Sequence, residues 1–165
     1  SPGIPMLFQG QEFLEGGWFR DTVALDWSQD SSFRGIVRLY RDLIGLRLNR
    51  DGRSAGLTGG GLNVFHNNDA ANVLAFQRWR DHGPGDDVVV VVNLSAETLG
   101  EYRIGFPTGG TWKLLLNSDA KNYSDAFGDN ESFDALAGDE PYDGFGASAE
   151  LSIGPYSVLV YSLEP

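Results

Sequence analysis

The stretch that most constrains this chain is its opening, SPGIPMLFQGQEF. Ile4-Pro5-Met6-Leu7-Phe8 is an apolar run of strand character that turns polar at Gln9-Gly10-Gln11-Glu12 before any partner strand has occurred. A strand is stabilised by its neighbours, so this one calls for companions that the following residues do not supply. LEGGWFRDTVALDW, rich in Gly, Asp and Trp and without periodicity, has the character of a long surface loop. Beyond it, apolar residues recur at Phe33, Ile36, Val37, Tyr40, Leu43 and Ile44, while Arg34, Arg38 and Arg41 fall on another face. This predicts an amphipathic helix over 33–48, capped at its start by Asp30, Ser31 or Ser32 and ended by Asn49-Arg50-Asp51-Gly52. Strand, loop and helix in that order make a β/α unit, whose strand belongs in a parallel sheet covered on both faces. One such unit cannot stand alone, so residues 1–52 are expected to be the last of several.

From residue 62 onward the periodicity changes. Segments 62–66, 72–80, 87–94, 101–106, 111–117, 149–153 and 156–163 are β-rich and separated by Gly, Asn, Asp and Pro clusters. In NVLAFQRWR, Val73, Ala75, Gln77 and Trp79 share one side and Leu74, Phe76, Arg78 and Arg80 the other. VVVVV is apolar on both sides and suits a central strand. The expected fold is therefore mainly β: an antiparallel β-sandwich over 62–165, preceded by one strand-loop-helix unit over 1–52. Residues 53–61, with TGGGL at their end, are expected to form a flexible linker, since a phosphate loop would need a strand before it, a helix after it and usually a lysine.

Charge and composition narrow the partners. A net charge of -11 leaves little positive surface for gripping phosphates, so nucleic acid and anionic membranes are not expected partners. There is no cysteine, hence no disulfide framework or thiolate metal site, which is compatible with a cytoplasmic location. No apolar run approaches the roughly 20 residues that cross a bilayer. His66 and His82 stand far apart and read as strand-end or loop histidines.

PGIPMLFQGQEF, GWFRDTVALDW and FRGIVRLYRDLIGLR together resemble the eighth strand, the following loop and the final helix of the catalytic barrel in the α-amylase family, glycoside hydrolase family 13. VLAFQRW, VVVVVNLS and GPYSVLVYSL resemble that family's C-terminal all-β domain. Within the family the likeness is greatest to bacterial glycogen branching enzymes. The resemblance implies a C-terminal fragment, because a (β/α)₈ barrel needs about 250 residues by itself. It also implies that the nucleophilic Asp, the acid/base Glu and the second Asp of the retaining mechanism lie on strands upstream. No catalytic residue is therefore expected in this chain. The parent would cleave an α-1,4-glucan and transfer the piece to a glucan hydroxyl. Two alternatives remain: a parent that hydrolyses or isomerises α-glucosides, or a β-domain that binds glucan or is purely structural.

Barrel active sites lie at the C-terminal ends of the strands, so the resemblance places Gln9, Gln11, Glu12, Trp18, Phe19 and Asp26 beside the substrate cleft. The plainer alternative is that Glu12 satisfies backbone donors or an arginine beneath the site, and that Trp18 and Trp27 pack between barrel and sandwich, the reading favoured for Trp27. The stretch 117–150 holds nine Asp or Glu against one Lys. Its interleaved aromatics make Tyr123, Phe127 and Tyr142 possible glucan contacts, although a solvated loop pinned down by those rings is the simpler reading. Asp125, Asp129, Asn130 and Glu131 do not have EF-hand spacing, and no metal or cofactor is expected. Without a barrel, residues 4–8 and the apolar helix face would be left sticky, so self-association is expected.

Overall fold

The structure is a computed structural model and describes residues 3–164. Its elements are helices α1 (Gln29–Ser32) and α2 (Arg34–Arg47), followed by strands β1 (Gly61–Asn68), β2 (Val73–Trp79), β3 (Val88–Asn93), β4 (Leu99–Phe106), β5 (Gly110–Asn117), β6 (Ala135–Ala137), β7 (Ala147–Ile153) and β8 (Val158–Leu163). Six strands form one sheet in the order β1-β2-β3-β8-β5-β6, and β4 pairs with β7 in a second. Every pairing is antiparallel. The main core lies between the sheets, where Val73, Ala75, Val89, Val91, Trp112, Leu159 and Tyr161 meet Ile104, Phe106, Leu151 and Ile153. The valine run is β3, flanked by β2 and β8. Val89 and Val91 enter the main core, while Val88 and Val90 belong to a second cluster on the opposite face.

That second cluster is where the helical unit joins the sandwich. Leu39 and Leu46 pack against it together with Leu57. A Cβ at Gly35 would stand 2.1 Å from the Tyr123 carbonyl oxygen, so the helix backbone and the 117–130 loop approach as closely as only glycine permits. The Tyr123 hydroxyl donates to Asp42 Oδ2 at 2.8 Å. Gly35, Leu39, Asp42 and Leu46 thus form one stripe at helical spacing. The apolar stripe picked out by periodicity is a different one. Ile36, Val37, Tyr40, Leu43 and Ile44 are centred about 130° round the helix axis at 3.6 residues per turn, and Leu43 and Ile44 are exposed.

Several expectations need correcting. Residues 4–8 form no strand: Ile4 is 97% and Met6 83% exposed, and no neighbouring strand offers a ladder. Phe33 is the junction between α1 and α2 rather than part of one continuous helix. Residues 53–61 are packed rather than an open join. Ala55–Thr58 is a 3₁₀ turn, Ser54, Ala55 and Gly56 are buried, and Arg78 donates to the Gly61 and Gly59 carbonyls at 2.8 and 2.5 Å. The acidic 117–150 stretch is not simply a solvated loop. It contains β6, and buried Asp119 organises it by accepting from the Gly128 and Asn130 amides at 2.8 and 2.9 Å.

A polar tie closes the sandwich at β1. His66 is buried between Asp143 Oδ1, 2.9 Å from Nδ1, and the Tyr102 hydroxyl, 2.9 Å from Nε2. Asn68 donates to the same hydroxyl at 2.8 Å. The phenol therefore has its own proton left for Nε2, and Nδ1–H is left to donate to the carboxylate. Asp143 also accepts from the Gly105 amide at 2.9 Å and sits with φ 54° in a two-residue turn before Gly144. This one network joins β1, β4 and the turn before β7.

Burial raises the pKa of both Tyr123 and Tyr161 above the ordinary 10.0, reinforced for Tyr123 by Asp42 and for Tyr161 by the charge of Asp134. The folded chain therefore holds these protons where the unfolded chain releases them, and stability falls as pH rises past about 10. Tyr161 Oη has no hydrogen-bond partner among the described residues. In denaturant titrations Tyr161→Phe should be neutral or stabilising by up to about 1 kcal/mol near pH 8 and should flatten the alkaline loss. A Tyr161→Phe chain as alkali-sensitive as the parent would contradict this assignment.

Candidate functional site

The segment before α1 is shaped by one carboxylate that sequence reasoning passed over. Glu15 accepts from the Gly17 amide at 3.0 Å through Oε1 and from the Asp26 amide at 3.2 Å through Oε2, tying the two ends of the exposed 16–26 loop. Its backbone amide donates to the Gly10 carbonyl at 2.9 Å. Gly10 has φ 83°, and a Cβ there would lie 2.5 Å from Glu15 Cβ, so both conformation and closeness require glycine. Gly10 leads into the 3₁₀ turn Gln11–Phe13, and Phe13 is buried against Trp27 with ring centroids 5.0 Å apart. Phe8 meets Phe19 edge-on at 5.3 Å.

These contacts bound a cleft of about 390 Å³ lined by Gln9, Gln11, Trp18, Phe19 and Asp26, with Phe8, Glu15 and Arg20 among its other walls. Five of the six residues singled out from the sequence therefore share one site. Glu12 does not join them. It lines a neighbouring cleft of about 470 Å³ with Leu7, Phe8, Gln9, Val37, Tyr40, Arg41, Ile44 and Arg50, on the apolar side of α2.

Polar commitments differ among the five. Gln11 accepts from the Phe8 amide at 2.8 Å. Asp26 Oδ1 accepts from the Ser28 hydroxyl at 2.6 Å and the Ser28 amide at 3.1 Å, which lowers its pKa and fixes the entry to α1. Trp18 is 92% exposed and Phe19 is half-exposed, so their rings are the open surfaces of the cleft. The arrangement offers apolar ring faces with carboxylate and amide groups around them, which suits a polyhydroxylated ligand with one apolar face. Trp27 covers Phe13 and is itself exposed, rather than lying between this segment and the sandwich.

The three aromatics proposed as a second glucan surface do not form one. Tyr123 is buried and holds Asp42, and Phe127 packs against the same cluster under α2. Tyr142 lies on the other side, its ring centroid 6.4 Å from that of His66. His82 stacks on Trp79 at 4.7 Å and pairs with Asp87 at 3.0 Å, so both histidines are held in structural pairs. Among the described residues no three His, Cys, Asp or Glu side chains are grouped to hold a metal ion, and no helix is long and apolar enough to cross a membrane.

Comparison with known proteins agrees with this architecture. Residues 64–164 match the family model described as alpha amylase, C-terminal all-beta domain. A 1,4-alpha-glucan branching enzyme GlgB from Mycobacterium sp. (strain KMS) is 35% identical over 163 residues, covering 96% of this chain and 21% of that protein. The GlgB of Myxococcus xanthus (strain DK1622) is also 35% identical, over 172 residues, covering 98% of this chain and 22% of its own length. The chain thus spans about one fifth of these relatives. An alpha-amylase structure from H.orenii superposes with a TM-score of 0.51 at 23% identity, over 85% of this chain and 23% of that one, a likeness of fold. The all-β match covers more than half of the residues, and the chain belongs to the family of the alpha amylase C-terminal all-beta domain.

Proposed function

We propose that this chain is the C-terminal, non-catalytic part of a 1,4-α-glucan branching enzyme, in which the sandwich braces the last β/α unit of a catalytic barrel. The observation that carries this reading is the two-faced helix. α2 uses Gly35, Leu39, Asp42 and Leu46 on the sandwich, yet leaves Leu43 and Ile44 of its more apolar stripe exposed, together with residues 4–8, as a unit cut from a larger packed body would. The 35% identity to GlgB proteins across 96% of the chain supports branching over hydrolysis or isomerisation. The scattered positions of Tyr123, Phe127 and Tyr142 give no support to the sandwich as a glucan-binding module.

In this reading the cleft of Gln9, Gln11, Trp18, Phe19 and Asp26 borders the glucan site, and the reacting carboxylates come from upstream strands. Glu15 and Gly10 fix the loop, Asp26 fixes its exit, and Trp18 offers a ring face to a glucosyl unit. The partners are an α-glucan and the rest of the barrel, with neither nucleic acid nor membrane, and the setting is cytoplasmic.

The native gene product, sized by immunoblot against this chain, should be several hundred residues longer. Acting on amylose, it should create branch points that shift the iodine stain and release short chains after debranching. Reducing ends appearing without branches would replace the transferase with a hydrolase. In that longer protein, Trp18→Ala should raise KM for amylose roughly 3- to 10-fold, the range of one aromatic contact, with the melting temperature unmoved. An unchanged KM would remove Trp18 from the site. Residues 1–165 alone should self-associate through the open stripe, so light scattering should show mass rising with concentration, and a monomer throughout would count against it.

A further inference from the structure

Three turns meet at one end of the large sheet: 69–72 between β1 and β2, 94–98 between β3 and β4, and 154–157 between β7 and β8. The Leu94 amide donates to the Asn72 carbonyl and the Tyr156 amide to the Ser95 carbonyl, each at 2.9 Å, so the middle turn touches both of the others. Buried Asn93 fixes the group. Its Nδ2 donates to the Glu97 and Gly154 carbonyls at 2.8 and 2.9 Å, and its Oδ1 accepts from the Ser95 amide and hydroxyl at 2.9 and 2.8 Å. The buried Ser157 hydroxyl donates to the same Gly154 carbonyl at 2.7 Å.

On this fixed base stand side chains that folding leaves unused. Tyr156 is 73% and Leu94 63% exposed. Tyr156 has φ 47° and Asn72 φ 54°, left-handed values that glycine adopts freely and that a tyrosine holds only under strain. A large ring kept in water at such a position buries little of itself, and so calls for a contact outside the chain. Beside Leu94 opens a cleft of about 250 Å³, lined also by Asn67, Asn68, Asp69, Asn72 and Leu74. Asn68 is committed, accepting from the Ala71 amide at 3.1 Å and donating to the Tyr102 hydroxyl. Asn67 Nδ2 donates to Asp69 Oδ1 at 3.2 Å, which leaves the Asn67 carbonyl oxygen, the second Asp69 oxygen and the Asn72 amide to bond a ligand. Among the described residues this lining holds one carboxylate and no cation, which disfavours an anion and suits a neutral, hydroxyl-bearing molecule.

We propose that Tyr156, Leu94 and the cleft of Asn67, Asp69 and Asn72 bind a segment of neutral α-glucan, giving the sandwich its own hold on the polymer. The choice of glucan rests on the reading of the chain as part of a branching enzyme. A glucosyl ring lays its apolar face on Tyr156 and Leu94 while its hydroxyls bond the asparagine amides. Because Asn93 already fixes the turns, little order has to be imposed when the ligand arrives. The surface shares no residue with the cleft at Trp18 or with Tyr123, Phe127 and Tyr142. A protein partner fits less well, since two exposed apolar side chains among amides fall short of the area that a stable protein contact buries.

Native gels containing glycogen test it on the longer protein. Tyr156→Gly and Asn72→Gly suit the left-handed backbone already present, so the melting temperature should hold or rise. Each should nevertheless weaken the apparent Kd for glycogen roughly 3- to 10-fold, with kcat on amylose unmoved. Tyr156→Phe keeps the ring and should keep the retardation. Retardation unchanged in both glycine variants, or a loss matched by Tyr156→Phe, would overturn the proposal while leaving branching of amylose, and with it the C-terminal reading, intact. A longer protein held by glycogen through Tyr156 that forms no branches would keep this surface and overturn the branching reading instead.

Discussion

The contact on which the rest of the structure depends is the seat of α2 on the outer face of the large sheet. Val88, Val90, Leu116 and Val160 are apolar on the side facing away from the main core and would otherwise meet water. Leu39 and Leu46, each half-buried, cover them, each contributing less than the roughly 1.5–3 kcal/mol of a fully buried leucine. The hydrogen bond from Tyr123 to Asp42 adds direction to that non-directional attraction. Gly35 lets the helix come close enough for both, since a Cβ would collide with a carbonyl oxygen rather than a side chain that could turn aside. Docking then sets where residues 9–26 stand, because the 3₁₀ turn at Gln11–Phe13 and α1 lie against α2.

Much of this was legible in the sequence where periodicity is a local signal. Seven strands fall within a few residues of the segments chosen by alternation and turn residues, and the valine run is central because both its faces are buried. What stayed illegible depended on partners distant in sequence. β6 is three residues of Ala-Leu-Ala, too short to alternate, and exists because β5 offers it an edge. Tyr123 looked like a surface ring because its acidic neighbours are solvated, and nothing local announces Asp42, 81 residues away. Residues 4–8 failed in the other direction, with strand character in the sequence and no ladder to realise it.

The candidate site shows the same division. The grouping of Gln9, Gln11, Trp18, Phe19 and Asp26 follows from a resemblance to a barrel loop, and in the structure all five line one cleft. Glu12 is their neighbour in sequence, yet the 3₁₀ turn sends it to the helix side. Glu15 carries no signal in the sequence pattern, yet its two backbone acceptor contacts are what close the 16–26 loop. The signal available was Gly10, a left-handed glycine facing the Glu15 side chain, visible only once the turn is built.

Charge gives the helix seat a second rationale. Six of the twelve basic residues, Arg34, Arg38, Arg41, Arg47, Arg50 and Arg53, fall on α2 or just after it, while nine of the 23 acidic residues fall in 117–150, whose first part lies against that helix. Attraction between the two segments is screened beyond roughly 10 Å at ordinary salt, so it orients the approach more than it holds the product. Apolar contact and the Tyr123–Asp42 bond then hold the pair together. A net charge of -11 is thus unevenly spread, and its one concentrated basic element stands where the sandwich meets the helical unit. That location favours assembly at this interface over adhesion elsewhere on an otherwise acidic surface.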